Sequence, residues 1–297
     1  MKIVRYRKKT ISFPGDGAIG IDGQAQLLDG KVWNHADTMN EDIDVVFLLA
    51  DDRTMDWYKK NKRPSGWKKV YLAWHTSTFE LNNYEKLQEV MDADIDGFWV
   101  PGGENTEAFS LFNKPVISDL VPYNFLGTTE GNKTNKACLV IKNLNDVKVN
   151  YLTSLTILKK LNIPGVVTLN PAAGYASDTD KLISLVNKLN INLEVHTPFK
   201  DRKEYLKYIS DCKIMINMDI RIGYNRNVVD AIETGMYCIG TYNPMQELFY
   251  KDLIVGSHEI NKAVELCKDC LNKPVYKLNN YDIFNLSYMK QEFMKKL

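Results

Sequence analysis

The stretch that decides the fold is KIMINMDIRIGYNRNVVDAIETGMYCIGTYN, residues 213–243. It begins with a short apolar strand at 214–216, and a polar turn that contains Gly223 follows. The pattern then predicts a helix over about 226–234, which Gly235 stops, and a second buried strand. Strand, glycine turn, helix, glycine stop and strand make one βαβ unit, and its turn lies where α/β proteins bind ligands.

This stretch resembles the donor-sugar segment of the retaining GT-B glycosyltransferases, and in particular glycosyltransferase family 4. In that family the segment reads roughly acid-Gly-aromatic-Gly, four residues, Glu-Ala, and then Gly-x-Pro-Val-Ile. The positions that fall in register here are Gly223-Tyr224, Asp230-Ala231, Gly235 and residues 238–241. Two positions depart from the pattern, because Ile222 stands at the first acid and Asn225 at the second glycine. The resemblance implies an α/β protein of GT-B type, with two Rossmann-like domains facing a central cleft.

Length and composition also predict two domains. The chain has 297 residues and is 44% hydrophobic, and domains typically contain about 100–200 residues. Residues 122–136 are polar, rich in Gly, Thr and Asn, and typical of a linker. We therefore expect an acceptor domain over residues 1–130 and a nucleotide-sugar donor domain over 131–283. The resemblance implies that a last helix at 284–297 packs back onto the first domain.

Charge and hydropathy exclude several classes of protein. The formal net charge of +1 gives no global electrostatic case for nucleic acid, which leaves a local basic face as the alternative. The longest uncharged apolar run, residues 45–50, is too short to span a bilayer, and no apolar segment follows the basic start as in a signal peptide. We expect a cytoplasmic protein with no transmembrane segment, in the host cytoplasm if its source is viral.

The cysteines predict reduced thiols and no metal site. Their number, five, is odd and no secretion signal accompanies them. Cys267 and Cys270 form a C-x-x-C, but no second pair of ligands with zinc spacing is present. The two cysteines are expected to be neighbours on an amphipathic helix.

A glycine-rich segment near the start of the chain has two interpretations. Gly15, Gly17 and Gly20 match G-x-G-x-x-G, which alone would suggest a nicotinamide oxidoreductase. Residues 7–14 separate these glycines from the strand expected at residues 2–6, and this argues against a dinucleotide fingerprint. The resemblance instead implies a glycine loop that faces donor phosphate and acceptor, with Gly17 binding the donor.

Positive groups that could neutralise a nucleotide diphosphate follow the first strand of the second domain, expected at 136–142. The resemblance places Lys148 at the family's lysine and Asn143 at its arginine, with Lys142 beside it. The alternative for each lysine is a solvated loop residue. Backbone N–H groups of Gly223, Tyr224 and Asn225 would add donors at a helix N-terminus, and Arg226 is a further phosphate or sugar ligand or else a surface arginine.

Two aspartates replace the acids of the family. Asp230 stands where the family binds ribose, and it can accept from two vicinal hydroxyls, although a structural role in the helix is the alternative. Glu233 is a nearby rival that we expect on another helix face. Asp219 is the nearest carboxylate upstream of Ile222 and a candidate for the missing sugar contact.

Two histidines follow predicted strands. His75 follows the apolar residues 69–74, at a strand end where α/β sites gather, and the resemblance implies contact with donor or acceptor. His196 follows residues 192–195, in the region of the base pocket. A structural role is the alternative for each. We name no protein nucleophile, because the departing phosphate can itself deprotonate the acceptor in such enzymes.

The resemblance implies a retaining hexosyltransferase that needs no cofactor and uses a UDP- or GDP-sugar such as UDP-glucose. Its acceptor would be a glycan, a glycoprotein or a small molecule. Small lysine- and asparagine-rich GT-B chains occur in viruses and phages, where some glycosylate DNA bases, and residues 57–69 interleave basic and aromatic side chains. DNA is therefore a candidate acceptor, although not the favoured one. The alternative to an enzyme is a GT-B binding module that has lost its catalytic acids.

Overall fold

The computed structural model describes residues 11–14, 31–33, 42–50, 52–74, 83–100, 106–118, 129–141, 144, 147–168, 176–196, 199, 201–220, 225–278 and 295–296. The chain divides into two compact units, residues 1–124 with 281–297 and residues 125–280. Each unit contains one sheet whose described strand pairs are all parallel. The predicted α/β class is therefore confirmed.

The first unit is built on a six-stranded sheet. Its strands are β1 (Ile11–Pro14), β2 (Lys31–Trp33), β3 (Val45–Leu49), β4 (Val70–Ala73), β5 (Gly97–Trp99) and β6 (Val116–Ile117). Its described helices are α1 (Asp52–Asn61), α2 (Tyr84–Asp92) and α3 (Thr106–Phe109), with a 3-10 turn at Ser110–Phe112. The strand order is β2-β1-β3-β4-β5-β6, so the chain changes direction across the sheet between β1 and β3.

The first strand of the sheet differs from the prediction. Strand β1 ends at Pro14 and pairs with β3, Ile11 lying opposite Val45. The glycine-rich segment therefore follows a strand directly, and the expected spacer at 7–14 is wrong. Pro14 misled the prediction because proline is tolerated at strand ends. The segment itself, with Gly17, lies outside the described residues, as does the strand expected at residues 2–6.

The aromatic side chains within residues 57–69 belong to the core of the first unit. Tyr58 and Trp67 are 4% and 2% exposed, and their rings stack at 6.2 Å. Arg63 donates to the Trp67 carbonyl at 3.1 Å and pairs with Asp96 at 3.0 Å. A run that resembles a solvated basic loop is thus helix α1 followed by an inward turn. Tyr58 and Trp67 are not available to stack on nucleic-acid bases.

The second unit is built on a five-stranded sheet. Its strands are β7 (Thr134–Leu139), β8 (Gly165–Thr168), β9 (Leu193–His196), β10 (Cys212–Asn217) and β11 (Tyr237–Gly240). Its helices are α4 (Tyr151–Leu161), α5 (Ala176–Lys188), α6 (Arg202–Ile209), α7 (Arg226–Glu233), α8 (Pro244–Tyr250) and α9 (Ile260–Asn272). The strand order is β11-β10-β7-β8-β9. The direction of winding therefore reverses between β7 and β10, which places the topological switch point there.

The predicted βαβ unit is confirmed as β10, α7 and β11, and Gly235 ends the helix with φ +66°. Some boundaries were wrong. The sequence pattern predicts a helix over residues 201–212, but Cys212 begins β10. It also predicts a strand at 253–255, where the structure has the end of a 3-10 turn and a bridge from Ile254 to Gly240. Helix α8 was missed, although Asn243 caps it and Pro244 occupies its first turn.

In the described part of the chain, no helix combines the length and the apolar character that crossing a membrane requires.

All five cysteines are free, buried thiols, and Cys267 and Cys270 lie on the buried face of α9. Burial raises the pKa of Cys212 to about 12 and that of Cys270 to about 11. Because the thiolate is the reactive form, we expect the folded protein to resist iodoacetamide at pH 8, and the protein in guanidinium to take up five adducts. Intact-mass measurement checks both. Rapid alkylation of the folded protein would contradict the buried positions.

Candidate functional site

The loop after β7 and the loop after β10 meet at the switch point of the second sheet. The backbone N–H of Ile220 donates to the carbonyl of Lys148 at 2.9 Å. Lys148 lies in a 3-10 turn, Val147–Val149, that leads into α4. The structure therefore brings together Lys148, which is expected to neutralise the diphosphate, and the Asp219–Ile220 segment, whose aspartate is expected to contact the sugar. Ligands of open α/β sheets bind at this position, outside the carboxyl ends of the strands.

Asp219 is held from the neighbouring strand. It is 2% exposed, and its carbonyl accepts a hydrogen bond from the hydroxyl of Thr241. The Thr241 N–H donates in turn to the Asn217 carbonyl at 3.1 Å. Gly240 permits this approach, since a Cβ there would lie 2.4 Å from the Asn217 oxygen. The ends of β10 and β11 therefore form a fixed frame for Asp219.

Helix α7 begins at this edge with a side-chain cap. The Oδ1 of Asn225 accepts from the N–H of Asn227 at 3.2 Å and from its Nδ2 at 2.9 Å. Arg226 is the first helical residue and is half-buried. Asn225, which stands at the second glycine of the family pattern, thus serves as the N-cap of α7. The positive end of the helix dipole favours a negatively charged ligand here.

A buried ion cluster joins α7 to α6. Arg202 donates to Oδ1 of Asp230 from Nε at 3.2 Å and from Nη2 at 2.8 Å. Its Nη1 donates to Oε1 of Glu233 at 3.4 Å, and its Nη2 also contacts Oε2 of Glu233. The side chains of Arg202, Asp230 and Glu233 are 14%, 4% and 0% exposed. Asp230 therefore has a structural partner as well as its predicted ligand role.

Glu233 was expected on another face of the helix, and this is wrong. Residues three apart on a helix are neighbours, so Asp230 and Glu233 present their carboxylates to the same guanidinium. Sequence reasoning missed Arg202. The only local signal was Asp201 followed by Glu204, which marks a helix start, and this signal does not identify the partner of the arginine in between.

Burial raises the pKa of the Cys138 thiol on β7 well above its usual value, and the negative charge of Asp230 raises it further.

His196 lies at the carboxyl end of β9 in an aromatic cluster. Its ring stacks on Phe199 with centroids 4.3 Å apart and packs against Tyr208 at 4.8 Å. Tyr208 donates to Glu194 at 2.6 Å, and this bond lowers the pKa of Glu194. Two strand spacings, about 10 Å, separate β9 from β7, so His196 is at the same edge of the sheet as Lys148 but not beside it.

Several predicted site residues lie outside the described residues. They are Gly17, His75, Lys142, Asn143, Gly223 and Tyr224. Their ligand roles stay predictions.

Within the described ranges, no group of three or more His, Cys, Asp or Glu side chains is arranged to hold a metal ion.

Comparison with known proteins finds similarity only at the level of structure. No protein-family model matches the sequence, and no curated protein matches it. Among solved structures, the chain is similar to TarM, at 14% identity and a TM-score of 0.56 over 85% of this chain and 50% of TarM. It is similar to the UDP-forming α,α-trehalose-phosphate synthase of Burkholderia xenovorans, at 10% identity and a TM-score of 0.64 over 86% of this chain and 74% of the synthase. It is also similar to the pneumococcal O-GlcNAc transferase GtfA, at 11% identity and a TM-score of 0.50 over 86% of this chain and 54% of GtfA.

These neighbours are GT-B glycosyltransferases. With two units that each contain a parallel sheet, the chain has the GT-B fold. It spans about half the length of TarM and of GtfA.

Proposed function

We propose that the protein is a retaining glycosyltransferase of the hexosyltransferase class, which moves a sugar from a UDP-sugar to an acceptor hydroxyl. The observation that carries the proposal is the hydrogen bond that joins Lys148 to Ile220, next to Asp219, at the switch point of the second sheet. UDP is preferred over GDP because S. aureus TarM and GtfA, which share the fold, have been crystallised with UDP.

The proposed roles follow from charge and position. Lys148 and the first N–H groups of α7 stabilise the diphosphate as it leaves, because catalysis gains most from positive groups aimed at developing negative charge. Asp230 accepts from the ribose, and Asp219 contacts the sugar in place of the acid that Ile222 replaces. His196 lies in the base pocket. The departing phosphate takes the proton of the acceptor hydroxyl, so no protein nucleophile is assigned.

The predicted roles of the residues outside the described ranges form part of the proposal. Gly17, Lys142, Asn143, Gly223 and Tyr224 bind the donor, and His75 holds donor or acceptor. Within the described ranges, Asn225 and Arg226 at the start of α7 also bind the donor. The first unit binds the acceptor, a glycan, glycoprotein or small molecule, and the second binds the nucleotide. A cytoplasmic location and a viral source are expectations from the sequence alone.

A second candidate function is a GT-B binding module without catalysis. The replacement of an acid by Ile222 favours it, because the family's first acid contacts the donor sugar and isoleucine has no group that can do so. The two functions differ in turnover.

The first experiment is a thermal-shift screen with UDP, GDP, ADP, TDP and their common sugar conjugates. A ligand that binds only the folded state adds about 2.7 kcal/mol of stability at about 100 times its Kd, which raises the unfolding midpoint by several degrees. We expect UDP and one UDP-sugar to give the largest shifts. A larger shift with GDP would overturn the choice of base, and no shift with any nucleotide would overturn both functions.

Turnover then separates the enzyme from the module. Release of UDP from the UDP-sugar that binds, slow in water and faster with acceptor, is expected of the transferase. Binding without UDP release across glycan and small-molecule acceptors would favour the module.

A further inference from the structure

The cluster of Arg202, Asp230 and Glu233 contains two carboxylates and one guanidinium, all mostly or fully buried. A buried carboxylate is costly unless it is paired and hydrogen-bonded. Arg202 supplies a positive partner to both carboxylates.

The geometry of the cluster fixes the Asp230 carboxylate. Both Nε and Nη2 of Arg202 donate to the same oxygen, Oδ1. The guanidinium is itself held by Glu233 on the neighbouring turn of α7. A planar, forked donor held at both ends sets the orientation of its acceptor in a way that the single ammonium of lysine does not.

The backbone of Arg202 is fixed as well. It is the first residue of α6, directly after Asp201, whose side chain caps the helix by accepting from Glu204 N–H at 2.9 Å. The guanidinium therefore extends from a rigid helix end rather than from a loop.

We propose that Arg202 is a positioning residue, which holds the Asp230 carboxylate in the orientation that binds the ribose hydroxyls of the donor nucleotide. This inference rests on the proposed function. Glu233 holds Arg202 in place, so that the three residues act as one unit. A carboxylate can accept about four hydrogen bonds, and pairing through Oδ1 is therefore compatible with a ligand. A preoriented carboxylate binds its ligand more tightly because less orientational freedom is lost on binding.

The test compares UDP with 2′,3′-dideoxy-UDP, which lacks the ribose hydroxyls, by isothermal titration calorimetry. We expect the unaltered protein to bind UDP about tenfold or more tightly than dideoxy-UDP, because the ribose hydroxyls of UDP form hydrogen bonds with a charged carboxylate. Arg202→Lys keeps the positive charge but not the forked donor. It should reduce the ratio of the two Kd values to about twofold or less, with little change in the Kd of dideoxy-UDP. The matched control is Arg63→Lys, which changes a similarly buried arginine that pairs with Asp96 in the first unit and should keep the ratio.

The outcomes separate the inference from the function on which it rests. If Arg202→Lys keeps the full ratio, the inference fails and the proposed function stands. If the unaltered protein does not bind UDP, the proposed function fails and the inference with it. Equal binding of UDP and dideoxy-UDP by the unaltered protein also overturns the inference. Should Arg202→Lys not fold, Glu233→Gln gives the same test, since it removes one hold on the guanidinium and should lower the ratio about threefold.

Discussion

Replacement of Lys148 by alanine is expected to lower kcat/KM for sugar transfer, or for donor hydrolysis, by about 10²- to 10³-fold. The Lys148 carbonyl is tied to Ile220 at the switch point, so the side chain starts from a fixed place at the carboxyl edge of β7 and β10. A positive charge there stabilises the diphosphate most when its negative charge grows during departure. The measurement is the initial rate of UDP release from the UDP-sugar that binds in the thermal-shift screen.

The matched control is Lys188→Ala, which removes an exposed lysine from the last turn of α5. It should leave the rate unchanged within experimental error. A second measurement separates a loss of phosphate binding from a loss of folding. Lys148→Ala should weaken the binding of UDP much more than the binding of uridine, which has no phosphate. If Lys148→Ala retains full activity, the lysine is a solvated residue and the diphosphate is neutralised elsewhere.

The βαβ unit at 213–243 was predictable because its information is local. Apolar strands, a helix with a capping asparagine and Gly235 follow one another within thirty-one residues. The switch point follows from this unit only when the strand order is known, and order depends on contacts between distant segments. Helix α8 had local signals at Asn243 and Pro244 that sequence reasoning overlooked.

The ion cluster was not predictable from sequence. Arg202 and Glu233 are thirty-one positions apart, and no local pattern identifies which buried carboxylate an arginine meets. Sequence reasoning treated Asp230 and Glu233 as rivals because the family pattern has a single acid, not two, in this helix. In the first unit, Trp67 was interpreted as a surface residue because basic residues surround it, although its ring is in the core. Composition near a residue is a weak guide to its burial when the chain turns inward at that point.

Arg202→Ala is expected to destabilise the second unit by about 3–5 kcal/mol, because it leaves two buried carboxylates without their shared partner. Tryptophan fluorescence provides an internal control, since all five tryptophans lie within residues 33–99 of the first unit. In a urea titration, the unfolding transition of the second unit, followed by far-ultraviolet circular dichroism, should move to a lower urea concentration. The fluorescence transition should stay in place.

Partial rescue tests whether charge is the cause. Adding Glu233→Gln to Arg202→Ala removes one of the two buried carboxylate charges that have lost Arg202, so we expect it to recover about 1–2 kcal/mol. Glu233→Gln alone should cost about 1 kcal/mol or less, because Arg202 and Asp230 still pair. Lys68→Ala, which breaks an exposed pair with Asp44, should cost about 1 kcal/mol or less. If Arg202→Ala costs no more than Lys68→Ala, the cluster does not stabilise the unit. If Glu233→Gln gives no rescue, the loss comes from packing of the arginine stem rather than from buried charge.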